Sequence, residues 1–449
     1  MTDTQRAGAS SASAADGTST GRLPNRWIQL TLGFVAMMAI SSPQYTWALF
    51  TGPLQQRVGT DLATLQVTFS VLIILQTWLA PAQGWLVDRF GPRLLLSLGA
   101  VLVGLSWVLA ASATSVVVLY LTYGVLGGIG TGIIYIGVIG LMVRWFPDRR
   151  GFVAGLAAAG YGVGAILTTF PINSMLKSSG YHQTLLVFGI IQGLIALLAA
   201  QGLRRPPAAV HGQQTSTEAA KSFSRTQSVR SYSPRQMLRT KPFYIMFVMM
   251  ACMSASGLMV TSQVGAFAKD FGVGNALVLG AAALPLSLTL SRATNGFSRP
   301  LFGWISDHIG REPTMLLAFG IEAIGVLVLL VFQSSPIAFV LLTGVVFLGW
   351  GEIFSLFPST LTDMYGPAYA TVNYGFLYIA QGIGALLGAP LAALIRETTG
   401  SWTPVFVGVA VLDAGVAIAA LTVLRPAHVR WISEETAELG AQRTALSEG

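Results

Sequence analysis

The stretch GWISDHIGRE at residues 303–312 repeats an earlier stretch, GWLVDRFGPR at residues 84–93. Each copy follows a long apolar run and ends in a short charged turn. Four residues of the first copy return 219 positions later, namely Gly84 as Gly303, Trp85 as Trp304, Asp88 as Asp307 and Gly91 as Gly310. One spacing for the whole stretch predicts that the chain consists of two related halves that run in parallel.

The composition is that of a membrane protein. Of the 449 residues, 53% are hydrophobic and only 10% are charged, and the mean hydropathy is +0.65. A soluble protein carries about 25% charged residues. The net charge of +8 comes from basic residues that lie between apolar runs and form no patch, which argues against nucleic acid as a partner. The single cysteine, Cys252, excludes a disulfide framework and a thiol metal site.

Twelve apolar runs are long enough to cross a bilayer core of about 30 Å. They lie at residues 27–50, 64–87, 93–112, 115–142, 150–171, 182–203, 242–267, 277–305, 314–332, 336–361, 370–395 and 402–424. Six runs fall on each side of a polar break. The sequence therefore predicts an all-α membrane protein with twelve transmembrane helices in two pseudo-symmetric six-helix bundles and a substrate site between them.

The polar break and the chain ends give the domain boundaries. Residues 1–26 are rich in Ser, Ala, Thr and Gly and are predicted to be a disordered cytoplasmic tail, with no cleaved signal peptide. The two predicted bundles occupy residues 27–203 and 242–424. A cytoplasmic linker at residues 204–241 joins them, and a cytoplasmic tail at residues 425–449 follows the second bundle.

The distribution of Lys and Arg predicts the orientation. Of the 26 Lys and Arg residues, 20 fall in the tails, the linker and the even-numbered connections, and four fall on the opposite side. Cytoplasmic loops carry the excess of positive charge in membrane proteins. We expect a multi-pass protein of the plasma (inner) membrane with both termini in the cytoplasm.

The remaining two basic residues, Arg292 and Arg299, lie inside the eighth run. They are seven residues apart, so on a helix they share one face about 10 Å apart along the axis. A charged side chain at membrane depth is costly unless it faces a wet cavity or a partner. We predict that this helix carries the substrate cation. Arg292 is expected near the end of the run or behind the cavity, which leaves Arg299 as the single cation in the cavity.

The loop pattern G-x-x-x-D-R-x-G-x-R resembles the signature of the major facilitator superfamily, and its main features occur in both copies. Asp88 and Asp307 can accept hydrogen bonds from helix N-termini or pair with arginine. We predict that they close one side of the protein in one state of a transport cycle. We predict that three arginines of the two copies help to close this side: Arg89, Arg93 and Arg311.

A finer resemblance runs along almost the whole chain. QYTWALF at residues 44–50, RWFPDRRG at 144–151, NGFSRPLFGWISDHIGR at 295–311 and LFPST at 356–360 are similar to the oxalate/formate antiporter family, which lies near the monocarboxylate transporters. The resemblance implies exchange or proton symport of small carboxylates by alternating access, without ATP, metal or another cofactor. We expect a monomer whose partners are the lipid bilayer, a small carboxylate and, in symport, H⁺.

The resemblance also implies the substrate site. Arg299 matches the anion-binding arginine of the family's eighth helix. An arginine offers a planar fork of donors to a carboxylate, and tyrosines add donors to an otherwise dry wall. The aromatic residues that match the cavity wall are Tyr45, Tyr135, Tyr161, Trp350 and Tyr378.

Two positions depart from the family pattern. The family's oxalate carrier has a lysine on the eleventh helix where this sequence has Gln381, and Phe354 replaces a tyrosine of the tenth helix. A neutral amide cannot neutralise a second negative charge. Binding a dianion against Arg299 alone would bury an unpaired charge. The sequence therefore favours a monocarboxylate over oxalate.

The sequence leaves the role of Glu352 and one alternative function open. Glu352 lies inside the tenth run and is either a proton-coupling carboxylate or a neutral or paired structural one; helical geometry turns it about 200° from Trp350. An alternative function within the same superfamily is efflux of drugs or other metabolites, which a neutral cavity would favour. The four histidines lie in predicted loops or tails, so we expect no metal site, no catalytic residues and no enzyme.

Overall fold

The structure is a computed structural model that describes residues 25–207 and 227–448. Residues 1–24 of the predicted N-terminal tail and residues 208–226 of the predicted linker lie outside the described residues. The described chain is almost entirely helical. Its helices group into twelve segments, which we number in chain order.

The first half contains segments 1 to 6. Segment 1 consists of three short helices, Arg26–Ala39, Ser42–Tyr45 and Trp47–Val58. Segment 2 consists of Leu62–Trp78 and Ala80–Phe90, which meet at a bend of 51°. Segment 3 is Pro92–Ala111, and segment 4 runs through Val116–Leu119, a π-helix at Tyr120–Leu126, and Gly127–Trp145. Segments 5 and 6 form one helical stretch, Arg150–Gly202, that breaks at Gly180 with φ 77° and ψ 172°, a conformation that only glycine adopts readily.

The second half begins with a short helix, Pro234–Met237, and contains segments 7 to 12. Segments 7, 8 and 9 are Lys241–Asp270, Ala283–Ile309 and Arg311–Val331. Segment 10 consists of Pro336–Trp350 and Ile353–Tyr365, and segment 11 is Ala370–Thr399. Segment 12 is Thr403–Ala419 with a π-helix at Ala420–Leu424, and it continues into a terminal helix, Arg425–Glu448.

Segment 8 begins later than the apolar run predicted. The first residues of the predicted run form a small hairpin of two antiparallel strands instead, Leu277–Val278 and Ala281–Ala282. The two residues of the turn, Leu279 and Gly280, have φ values of 50° and 81°. Positive φ at both central positions is the geometry of tight hairpin turns. Apolar composition alone does not distinguish such a hairpin from the end of a helix.

Within the described residues, eight helices are long and apolar enough to cross a membrane, and the bent pair of segment 2 gives a ninth. One of the eight, Arg150–Gly202, has 53 residues and divides at Gly180 into two segments. Segment 1 is not among these helices because its longest piece has 14 residues, which is too short to cross a membrane alone. Segment 8 is not among them because it is rich in polar and charged residues, including two arginines. The twelve predicted segments are thus all present.

The two halves meet along two antiparallel pairs of segments. Segment 5 packs on segment 8, and segment 2 packs on segment 11. The backbones come so close that a methyl group at Gly155 would collide with the Arg299 carbonyl, and one at Gly375 with the Ala80 carbonyl. Small residues permit this approach between membrane helices. These two contacts enclose the centre of the molecule. The end of the segments that carries the linker is called the linker face below.

Candidate functional site

A row of aromatic rings crosses the centre of the molecule from one half to the other. Tyr45 lies 5.4 Å from Tyr161, measured between ring centroids, and Tyr161 lies 5.6 Å from Tyr135. Tyr135 then stacks on Tyr378 of segment 11 at 5.0 Å, with the ring planes 20° apart. Four of the residues predicted for the cavity wall are therefore neighbours, although they come from segments 1, 4, 5 and 11.

Arg299 of segment 8 lies beside these rings and is only 2% exposed. Its Nη1 donates to the carbonyl oxygen of Ala158 in segment 5 at 2.6 Å, so the side chain reaches across to the first half. Its Nη2 donates to Oδ1 of Asn295, one turn earlier on the same helix, at 2.9 Å. The guanidinium carbon lies 4.6 Å from the centroid of Phe354. These contacts fix the orientation of the guanidinium.

Among the described residues, the guanidinium of Arg299 has no carboxylate within ion-pair distance. No carboxylate within the described ranges forms an ion pair with it, and its Nε–H finds no acceptor there. Leaving a cation buried and unpaired is strongly unfavourable. A small anion that entered the site would supply the missing charge and accept from a fork of donors that is already oriented.

Trp350 and Gln381 lie at the edge of this site. The indole Nε1 of Trp350 donates to the carbonyl oxygen of Met253 in segment 7 at 2.9 Å, and its ring lies 6.0 Å from Phe354. The carboxamide oxygen of Gln381 accepts from the Ser254 hydroxyl at 2.5 Å. Both side chains are thus held by segment 7. Neither forms a hydrogen bond with Arg299.

Three residues of the site were not predicted as ligands or supports. Tyr374 lies 5.6 Å from Tyr378, one helical turn away, and extends the row of rings. Gln44 accepts from the Tyr161 hydroxyl at 2.7 Å, and Asn295 holds Arg299. Spacing of four residues from Tyr378 and from Arg299 was the available signal for Tyr374 and Asn295. Arg292, in contrast, is exposed and stands apart from the Arg299 contacts.

Glu352 occupies the break in segment 10 and is fully buried. Its carboxylate oxygens accept no hydrogen bond from the described part of the chain, and no cation there pairs with it. Glu322 of segment 9 and Asp413 of segment 12 are also fully buried. Asp413 lies inside its helix, Thr403–Ala419, rather than at an end. All three acids belong to the second half.

Asp307 joins the two halves at the linker face. Its carboxylate accepts from the backbone N–H groups of Gly151 and Phe152, at 2.9 Å and 2.8 Å, at the first turn of segment 5. Arg311 donates to the same carboxylate at 2.6 Å and to Asp363, at the end of segment 10, at 2.8 Å. A carboxylate at a helix N-terminus is stabilised by the free N–H groups and the helix dipole.

Arg150 completes this network. It donates from the first half to Asp363 of the second half at 2.6 Å, and both side chains are 3% exposed. The sequence predicted Asp307 and Arg311 but not Arg150 or Asp363. The only signal for Arg150 was its place in the RWFPDRRG motif, because its partner lies 213 residues away.

Asp88 makes the corresponding contact at the second junction of the halves, where segment 2 packs on segment 11. It pairs with Arg144 at 2.5 Å and accepts from the N–H of Val372, at the first turn of segment 11, at 3.3 Å. The other two arginines predicted to act with it have no hydrogen bond or ion pair to the second half within the described ranges. Arg89 stacks on Trp85 at 5.3 Å, and Arg93 donates to Gln201 of segment 6 at 3.0 Å.

Comparisons with known proteins agree with this architecture. A family model described as Major Facilitator Superfamily matches residues 30–294 and 284–448. The oxalate:formate antiporter of Oxalobacter formigenes is 34% identical over 414 residues, which cover 91% of this chain and 94% of that protein. Monocarboxylate transporter 13 of Bos taurus is 26% identical over 341 residues, 75% of each chain.

A solved structure shows the same fold. The proton:xylose symporter XylE superposes with a TM-score of 0.69 at 14% identity, over 89% of this chain and 96% of that one. At this identity the likeness concerns the fold alone. It confirms the predicted arrangement of twelve helices in two six-helix bundles.

Proposed function

The chain belongs to the major facilitator superfamily, and on that premise we propose that it carries small carboxylate anions across the membrane by alternating access. The curated relatives named above include an oxalate:formate antiporter and a monocarboxylate transporter. We propose a monomer in the inner membrane with the linker face in the cytoplasm. Transport is either exchange or proton symport, and a pH gradient distinguishes the two.

The observation that carries this proposal is the buried, unpaired charge of Arg299. Two of its donors are occupied by Ala158 and Asn295, and the remaining N–H groups are available to a ligand. A carboxylate there would be contacted by a planar donor fork and surrounded by tyrosine rings. Because the bond to Ala158 crosses between the halves, an anion that competes for the guanidinium would also loosen that connection. Substrate binding and the change of state would then share one residue.

The selectivity for a single charge follows from the surroundings of Arg299. The matching lysine of the family's oxalate carrier is Gln381 here, and its oxygen already accepts from Ser254. Phe354 places a ring face, not a hydroxyl, against the guanidinium. A dianion would therefore meet one cation only, and its second charge would be buried without a partner. We infer that formate and related monocarboxylates are preferred over oxalate.

The direct test uses purified protein in proteoliposomes with labelled formate, acetate, lactate and oxalate, each with and without a pH gradient. Arg299→Ala is expected to abolish carboxylate transport, and Arg299→Lys to retain less than about half of it, because a point charge replaces a two-pronged donor. Arg57→Ala, at an exposed position on the opposite face, is the control and should transport normally. Normal carboxylate uptake by Arg299→Ala would refute the proposal, and uptake of neutral compounds instead would favour the efflux function.

The charge argument has its own test. Gln381→Lys places an ammonium beside the site, so oxalate should compete better against a labelled monoanion. The shift is expected to be on the order of tenfold, because a pair of charges in a partly wet cavity is worth a few kcal/mol at most. If the wild-type protein already binds oxalate tightly and the variant is no better, the single-cation argument is wrong.

A further inference from the structure

We propose that a basic cleft on the linker face of the first half binds the phosphate headgroup of an anionic phospholipid. The cleft has a volume of about 730 Å³ and lies between the start of segment 3 and the end of segment 6. Three arginines line it, Arg93, Arg204 and Arg205, together with Ser97 and Gln201. This site is separate from the transport site and goes beyond the proposed function.

The arginines of the cleft have no acidic partner among the residues that the structure describes. Arg93 spends one donor on the Gln201 side chain at 3.0 Å, and Gln201 in turn donates to Ser97 at 2.8 Å. Within residues 25–207 and 227–448, Arg205 donates to the backbone carbonyls of Asp88 and Arg89 and to no side chain. The described lining of the cleft contains no acid, and none of its arginines forms an ion pair with a described residue.

The cleft is nevertheless a built feature rather than three loose side chains. Arg204 is fixed through its backbone, since its N–H donates to Gln29 and its carbonyl accepts from Trp145, both at 2.8 Å. The first turn of segment 3, with free backbone N–H groups, also lines the cleft. Guanidinium groups and a helix N-terminus both favour a phosphate.

Exposed apolar residues next to the cleft favour a lipid over a free phosphate. Leu94 and Leu98, one turn apart on segment 3, are 63% and 49% exposed, and Leu198 on segment 6 is 70% exposed. These side chains continue from the cleft along the membrane-facing surface. A phospholipid could therefore place its phosphate among the arginines and its acyl chains against the leucines. A soluble phosphate would gain only the first contact.

A bound lipid would also touch the contact between the halves. Arg205 holds the turn that carries Asp88, and Asp88 contacts segment 11. A headgroup on Arg205 would steady this turn through the same guanidinium. Anionic lipid is therefore expected to change the turnover of the transporter without changing its affinity for substrate.

The test measures retained lipid on the full-length protein in nanodiscs of phosphatidylcholine with phosphatidylglycerol added, by native mass spectrometry. The double variant Arg204→Gln, Arg205→Gln should lose phosphatidylglycerol affinity by about tenfold or more, because juxtamembrane cations attract anionic lipids. Arg57→Gln on the opposite face is the matched control and should retain the lipid. Replacing both arginines by lysine should restore most of the retention, which shows that the cleft is intact.

Two outcomes would overturn the proposal. One is equal retention of phosphatidylglycerol by the wild-type protein and the glutamine variant. The other is equally strong binding of inorganic phosphate or of water-soluble glycerophosphoglycerol, which would identify a site for soluble phosphates instead of a lipid.

Discussion

The two contacts between the halves at the linker face share one plan but differ in strength. Asp88 and Asp307 are related by the internal repeat, and each accepts from the first turn of a helix in the opposite half. Asp307 accepts two N–H groups at 2.9 Å and 2.8 Å, whereas Asp88 accepts one at 3.3 Å. The repeat therefore preserves the geometry of the contact and not its quality.

The two contacts differ more in their ion pairs than in their backbone hydrogen bonds. At the contact of segments 5 and 8, four charged side chains interlock, and each is only 3% or 4% exposed: Arg150, Asp307, Arg311 and Asp363. At the contact of segments 2 and 11, Asp88 and Arg144 are 13% and 11% exposed, and both belong to the first half. Among the described residues, an ion pair between the halves occurs in the first network and not in the second. Breaking a buried pair costs about 3–5 kcal/mol, and only in the first network does that cost fall on a described contact between the halves.

This asymmetry suggests an order of events when the linker face opens. The contact of segments 2 and 11 has less to lose, so we expect it to part first. The contact of segments 5 and 8 would then part last, and most of the closed state's stability would reside there. Substitutions on the two sides should therefore have unequal effects.

The largest effect is expected from Asp363→Asn. This change leaves Arg150 and Arg311 buried without their shared carboxylate, at a cost of about 3–5 kcal/mol to the closed state. The closed linker face would then be sparsely populated, and the return to it should limit the cycle. Turnover in proteoliposomes should fall on the order of a hundredfold, and a cysteine placed at the linker face should become accessible to a thiol reagent. Asp148→Asn is the control, since the Asp148–Arg26 pair lies on the same face but is 44% and 39% exposed. Equal behaviour of the two variants would mean that the buried network does not hold the face closed.

How much of this could be predicted from the sequence differs between the two contacts. The repeat located Asp88 and Asp307, because a decapeptide that returns at one spacing marks equivalent positions. It could not show that Asp307 is the stronger contact, since that depends on Arg150 and Asp363, which lie outside the repeat and meet only after folding.

Some residues of the transport site could likewise be predicted from the sequence, and others could not. Resemblance to a family brought together Arg299 and four tyrosines that the structure places side by side. It missed the Asn295 support of Arg299, because hydropathy does not reveal which side chains on a helix face contact each other. The hairpin before segment 8 was also missed, because its residues are as apolar as those of the helix and hydropathy does not separate the two.

A more moderate effect is expected from Asp307→Asn compared with Asp88→Asn. Both should slow turnover and leave the substrate affinity within a few-fold, because Asp307 lies eight residues from Arg299, or about 12 Å along the helix. Asp307→Asn should be slower by about tenfold, since it loses a charged acceptor for two N–H groups and for Arg311. The two rates, measured side by side with the same substrate, sharpen the comparison. A slower Asp88→Asn variant would reverse the proposed order of opening, and a large loss of affinity in either would place that residue in substrate binding.

The smallest effect is expected from Arg144→Gln. Arg144 contacts Asp88 within one half, so its loss removes an ion pair that does not itself join the halves. The freed Asp88 carboxylate is partly exposed and remains able to accept from Val372, so the contact with segment 11 should survive. We expect a change in turnover of about threefold or less, because the loss weakens the bond to Val372 only indirectly, by less than about 1 kcal/mol, the contribution of a whole hydrogen bond. The matching change on the other side, Arg150→Gln, removes a buried ion pair that crosses between the halves and should cost far more. If Arg144→Gln proved as damaging as Arg150→Gln, then the Asp88 side would depend on its ion pair as strongly as the Asp307 side, and the two contacts would be equal in function despite their different burial.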